Sequence, residues 1–155
     1  MHHVFIQIAH EPADPADAFR RLCDIERMPG LSDAVLAVSR EPDTSRSRWR
    51  VRFGPGELQW TQIEHVDENA RRYSFTVVEG DVPTLSGSWL VDNDHGGARL
   101  SFEAEFDLGF PTLAAQLHPV AAQALIETVV GIARAALQAP EAVETAQHWE
   151  QVIGA

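Results

Sequence analysis

Residues 113–138, LAAQLHPVAAQALIETVVGIARAALQ, are the stretch whose reading decides the fold. Leu113, Leu117, Ala121, Ala124, Thr128, Ile132 and Ala135 recur at three- and four-residue spacing, the period of one face of an α-helix. Alanine is as common on that face as leucine, Thr128 lies on it and Gly131 lies beside it. Small residues on a helix that faces a sheet leave space rather than fill it. Pro119 suits a first turn better than a helix interior, so the main helix is expected to begin near it, with Leu113 to Leu117 as a separate turn. Pro140 stops it.

Working outward, the preceding segments read mostly as strands. His3 to Ala9 is a short strand, and Pro15 to Arg27 a helix with Asp14 as its cap and Phe19, Leu22, Cys23 and Glu26 on one stripe. Met28-Pro29-Gly30 ends that helix, with Leu31 in a second short helical turn. Strands follow over residues 34–40, 48–53, 58–66, 72–79, 84–91 and 99–108, each closed by Gly, Pro, Asp or Asn. About seven strands, two short helices after the first and one long helix near the end make an α+β layout with an antiparallel sheet. Residues 1–140 read as one domain and 141–155 as an extension, expected to be helical, with Val143, Trp149 and Ile153 as its apolar points. The tail's role is open: covering a pocket mouth, packing on the sheet edge, or pairing with a second copy in a homodimer.

Alternation assigns the faces. Trp49, Val51 and Phe53 oppose Arg46, Arg48, Arg50 and Arg52; Leu58, Trp60, Gln62 and Glu64 share a face, as do Tyr73, Phe75 and Val77. Leu85, Gly87 and Trp89 do likewise, and Leu100, Phe102, Ala104 and Phe106 oppose Ser101, Glu103, Glu105 and Asp107. A sheet with one aromatic and one charged face buries the aromatic side by curling around the helix. Those rings either fill a core or, opposite an alanine-rich helix face, line a cavity for a flat hydrophobic guest.

Composition narrows the partners. Twelve basic residues, all arginine, face 23 acidic ones, for a net charge of −11. Such a surface repels phosphate backbones and anionic headgroups, which argues against nucleic acid and membrane surfaces. Gln116, His118, Gln123 and Glu127 interrupt the best apolar run, so no stable membrane insertion is expected. The start, MHHVFIQIAHEPADP, lacks a basic region followed by an apolar core and does not read as a secretion signal. A single cysteine, Cys23, permits no internal disulfide, and a cytoplasmic setting is the simplest expectation.

Phe19-Arg20-Arg21-Leu22, Asp24-Ile25-Glu26-Arg27-Met28-Pro29-Gly30-Leu31, Trp60, Glu79-Gly80, Gly87-Ser88-Trp89 and Glu105-Phe106-Asp107 follow one another in an order that resembles the START/Bet v1-like (SRPBCC) superfamily, in its polyketide cyclase/dehydrase and lipid-transport branch. The resemblance spans about residues 3–138 and implies a helix-grip fold: a seven-stranded sheet around the terminal helix and a deep cavity. It implies a hydrophobic, polyketide-like or lipid-like small molecule as partner, in secondary-metabolite biosynthesis or self-protection. It extends to aromatase/cyclases and quinone carriers, so the fold sets a cavity and not a reaction. The aromatase/cyclases carry an arginine where Glu64 stands here. The segment after Met28 also has Leu31, Ser32, Ala34 and Val35 in place of their aromatic and tyrosine positions.

The candidate catalytic pair is Glu64 and Gln62: a carboxylate inside an aromatic cavity suits acid–base work on a ketone, and a neutral amide suits a ligand carbonyl. A bulge after Thr61 would reverse the phase and turn Ile63 inward instead. Candidate ligand-binding residues are Trp49 and Phe53, then Leu58 and Trp60, then Tyr73 and Phe75. Leu85, Trp89, Phe102 and Phe106 follow on the later strands, with His118, Ala121, Ala124 and Thr128 on the helix. The seven histidines show no ligand spacing and no glycine-rich loop follows a strand, so neither metal nor cofactor is expected.

Overall fold

The computed structural model describes residues 1–107 and 117–150, the side chains of 117–119 and 150 excepted. Strand β1 (His2–His10) leads into helix α1 (Pro15–Cys23), a 3₁₀ turn (Ile25–Arg27) and α2 (Met28–Leu31). Six strands follow: β2 (Val35–Arg40), β3 (Arg46–Phe53), β4 (Gly56–Asp67), β5 (Arg72–Gly80), β6 (Thr84–Asp94) and β7 (Gly97–Asp107). Helix α3 (Leu117–Leu137) and strand β8 (Glu144–Glu150) complete the chain. All strands join one antiparallel sheet in the order β2-β3-β4-β5-β6-β7-β1-β8.

The early helices begin and end for local reasons. Asp14 accepts a hydrogen bond from the Asp17 amide at 3.0 Å and Pro15 sits at the first helical position, where its missing donor costs nothing. Asp24 then leaves helical geometry, so the expected single helix to Arg27 is α1 followed by the separate 3₁₀ turn. Phe19, Leu22, Ile25 and Met28 all point into the core.

Each strand buries alternate residues. On β3, Ser47, Trp49 and Val51 are buried while Arg46, Arg48, Arg50 and Arg52 are exposed; Arg50 pairs with Glu57 at 3.1 Å. Val4, Ile6 and Ile8 on β1 face Leu100, Phe102, Ala104 and Phe106 on β7 under α3. Full burial of each large apolar side chain is worth about 1.5–3 kcal/mol, so this layer is the main source of stability.

The tail corrects the sequence reading. Residues 144–150 form β8 rather than a helix, antiparallel to β1, with Val4 opposite His148 and His3 opposite Trp149. Without it β1 would present an unpaired row of backbone groups beside β7. Arg134 holds the reversal, donating from Nε to the Ala142 carbonyl at 2.9 Å and pairing with Glu144 at 3.0 Å. The sheet therefore has eight strands, and Ile153 lies outside the described residues.

Helix α3 lies across β1, β3, β7 and β8 and against α1 and α2. Pro119 falls in its first turn, as a proline should; Leu113 lies outside the described residues. Contrary to the expectation from its polar interruptions, Val120–Leu137 is long and apolar enough to cross a membrane by length and composition. In this fold half of that window is buried inside the protein. A Cβ on Gly131 would run into the Ser32 hydroxyl, so this glycine sets how closely α3 approaches the segment after α2.

Gly80 closes β5 at φ +129°, and a Cβ there would collide with the Gln59 carbonyl and the Trp60 backbone. Gly54 also has positive φ, +57°, but open space around it. Gly80→Ala is expected to lower stability by about 2 kcal/mol or more, and Gly54→Ala by about 1 kcal/mol. Thermal denaturation checks this; equal shifts for the two variants would contradict the packing of Gly80 on Trp60.

Candidate ligand site between the sheet and the long helix

Strand β4 supplies the chemistry. Trp60, Gln62 and Glu64 are buried and Leu58 partly so, whereas Ile63 is 38% exposed. The irregularity opposite Thr61 and Gln62 exists, but β5 takes it up: Thr61 pairs with Glu79 and Gln62 with Val77, leaving Val78 as the extra, exposed residue. The phase of β4 is thereby kept, and Glu64 points to the concave side.

Two voids of about 40 Å³ each lie between sheet and helix. Leu58, Leu85, Phe106, Ala121 and Ala124 border the first, with Val51, Arg52 and Val82. Trp49, Gln62, Tyr73, Phe75, Trp89 and Phe102 border the second, with Val129 and Ile132. Trp60, Leu85, Leu125 and Thr128 border both and separate them. Each void holds on the order of one or two water molecules, far below the roughly 300–1,000 Å³ of a small-molecule site. The expected deep cavity is thus much smaller here, because the rings fill it. Trp49 and Trp60 stack at 6.4 Å and 8°, Phe75 on Phe102 at 6.1 Å, and Trp89 tilts onto Phe102 at 4.9 Å.

Phe53 packs on the edge of the core and borders neither void. The side chain of His118 lies outside those described. Leu125 escaped the sequence reading, although 121, 125, 128 and 132 follow a regular four-three-four helical step. A larger open groove of about 1030 Å³ runs on the outer side, between α2 and the far face of α3. Within it Arg27 pairs with Asp24 at 3.3 Å and Arg134 with Glu144 at 3.0 Å.

A chain of hydrogen bonds backs the second void. The Trp60 indole donates to Gln62 Oε1 at 2.8 Å, and Gln62 Nε2 donates to the Tyr73 hydroxyl at 3.2 Å and to Glu64 Oε1 at 3.4 Å. The Trp49 indole donates to Ser47 Oγ at 2.9 Å, and Ser47 donates in turn to Glu64 Oε1. Arg40, reaching in from β2, sets Nη2 3.3 Å from Glu64 Oε2, an ion pair without hydrogen-bond geometry. Arg40 itself borders neither void. Glu64 borders neither void; it sits behind Gln62 and Tyr73.

Burial, reinforced by the adjacent Glu64 carboxylate, pushes the Tyr73 phenol far above its ordinary range and keeps it protonated. Among the described residues no group of three His, Cys, Asp or Glu side chains is placed to hold a metal ion.

Burial raises the Cys23 thiol from 9.0 to about 11, with Arg40 opposing and Glu64 and Glu68 adding to the rise. At pH 8 its thiolate fraction should be about 100-fold below that of a thiol ionising at the ordinary value. Alkylation by iodoacetamide at pH 8 is accordingly expected to be slower by that order than in the urea-unfolded chain. Equal rates would contradict the placement of Cys23.

The fold has close counterparts among solved structures. The aromatase/cyclase Zhui from Streptomyces sp. R1128 superposes with a TM-score of 0.76 at 14% identity, over 89% of this chain and 93% of that one. The protein TTHA0849 from Thermus thermophilus gives 0.72 at 21% identity, over 88% and 99%. A START superfamily protein from Mycobacterium smegmatis gives 0.67 at 15% identity, over 87% and 94%. At these identities the likeness establishes the helix-grip fold alone. No curated protein matches the sequence. Residues 2–143 match the family described as polyketide cyclase/dehydrase and lipid transport, and the chain belongs to that family.

Proposed function

We propose that this protein binds a flat, hydrophobic small molecule, aromatic or polyketide-like, between the concave face of the sheet and α3. The observation that carries the reading is the pair of apolar voids, the second ringed by aromatic side chains, that share Trp60, Leu85, Leu125 and Thr128 as lining. Leu125 is only partly buried and borders both voids, so its movement would join them and admit a ring. The family supports a ligand-binding role. A cytoplasmic place in secondary-metabolite biosynthesis or self-protection fits the net charge of −11 and the single cysteine.

The second reading is an aromatase, cyclase or dehydratase using Glu64 and Gln62, and a Zhui-like fold keeps it in view. Against it, Glu64 is paired with Arg40 and screened from both voids. Both Gln62 amide hydrogens have acceptors already. A lipid or quinone carrier is a further alternative that uses the same space without chemistry.

Titration of intrinsic tryptophan fluorescence with flat apolar probes tests the binding reading. Quenching is expected in the native chain and is lost in Ala124→Phe, which places a ring in the first void. Leu125→Ala should bind a two-ring probe at least about fivefold more tightly while losing roughly 2 kcal/mol of stability, at the low end for a leucine truncation. Absence of quenching, or an Ala124→Phe variant that quenches normally, would sink the proposal. Turnover of a polyketide substrate abolished in a Glu64→Gln variant that still binds would favour the enzyme instead.

A further inference from the structure

The hydrogen bonds around the second void constrain the guest's own polar groups, a step that rests on the binding reading above. Every N–H donor on this wall is already directed at a protein acceptor. The indoles of Trp49 and Trp60 point at Ser47 and Gln62, and both Gln62 amide hydrogens point at Tyr73 and Glu64. Ser47 points at Glu64 Oε1. The Tyr73 oxygen receives the Gln62 amide, and the Glu64 carboxylate stands close to the phenol with its Oε2 accepting no hydrogen bond. Thr128 donates to the Ala124 carbonyl one turn back, at 2.9 Å.

Acceptors are what remain. A hydroxyl oxygen offers two lone pairs, and none of the described hydrogen bonds reaches Thr128 Oγ1 as acceptor. Gln62 Oε1 and the Tyr73 oxygen have each already taken one donor. Thr128 thus has the largest unused accepting capacity on the wall, and it borders both voids. A ligand carbonyl brought to Thr128 would meet an oxygen and no free N–H, at a cost of about 1–3 kcal/mol for an unsatisfied buried group. A ligand hydroxyl would be matched.

We infer that the guest carries a hydroxyl donor, phenolic or enolic, on its buried edge, and that Thr128 is the residue that selects it. The carbonyl-binding role expected of Gln62 is then replaced by selection for the hydroxyl form of the ligand.

The test compares 2-naphthol, which donates, with 2-methoxynaphthalene, which presents the same ring system and only accepts, by calorimetric titration. The native chain should bind the naphthol about tenfold more tightly. Thr128→Val, close in shape and without the hydroxyl, should remove most of that preference while changing the methoxy affinity less than twofold. Thr128→Ser should retain it, which separates hydroxyl recognition from a packing defect. Equal or reversed affinities in the native chain overturn the inference while leaving the binding reading intact, as does a Thr128→Val variant that weakens both probes alike. If neither probe binds, the binding reading falls and this inference with it.

Discussion

A carboxylate cannot be left alone in an apolar interior: the cost of removing it from water is several kcal/mol unless charge and donors surround it. Glu64 is such a group, and the way its demand is met organises the concave face. Arg40 supplies the charge from β2, Ser47 a donor from β3, and Gln62 another from β4 itself. Through Ser47 and Gln62 the same carboxylate orients the Trp49 and Trp60 indoles, whose stacked rings are the wall of the site. Three strands are locked in register by one buried charge. The tyrosine behind them stays neutral for the same reason.

Against that wall lies α3, and its composition now has a structural meaning. Gly131 lets the helix meet Ser32, Ala133 and Ala136 are fully buried, and Ala121 and Ala124 leave the thin space of the first void. The small residues serve mainly to bring the helix close. Leu125 and Trp60 border both voids and keep the space between sheet and helix divided. On the proposed reading, N–H donors turned inward and oxygens left at the surface of the voids give this narrow space a chemical preference as well as a shape.

Much of this was legible in the sequence. Alternation on β3 and β7 separated the arginines and glutamates from the aromatic rings because period-two patterning is strong wherever one face is buried and the other wet. The inward direction of Glu64 was conditional on a bulge, and the residues of β4 alone could not show that Val78 on β5 would absorb it. The tail departs from expectation because Trp149 and Ile153 stand four apart, as on a helix, while the pairing that makes residues 144–150 a strand comes from the open edge of β1, more than a hundred residues earlier. Arg40 could not be foreseen either, since its role exists only through the β2–β3–β4 register. The hollow was overestimated: alanines on a helix face state how near the sheet may come, not how far it stays away.

The central claim, that the space between sheet and α3 receives a ligand, is tested most directly by the indole N–H signals of the four tryptophans in a two-dimensional NMR titration with 2-naphthol. Trp49, Trp60 and Trp89 line that space, and Trp149 is 45% exposed, stacked on His3. The account predicts saturable shifts for the first three and an unmoved Trp149. Shifts confined to Trp149, or none at saturating probe, would contradict it.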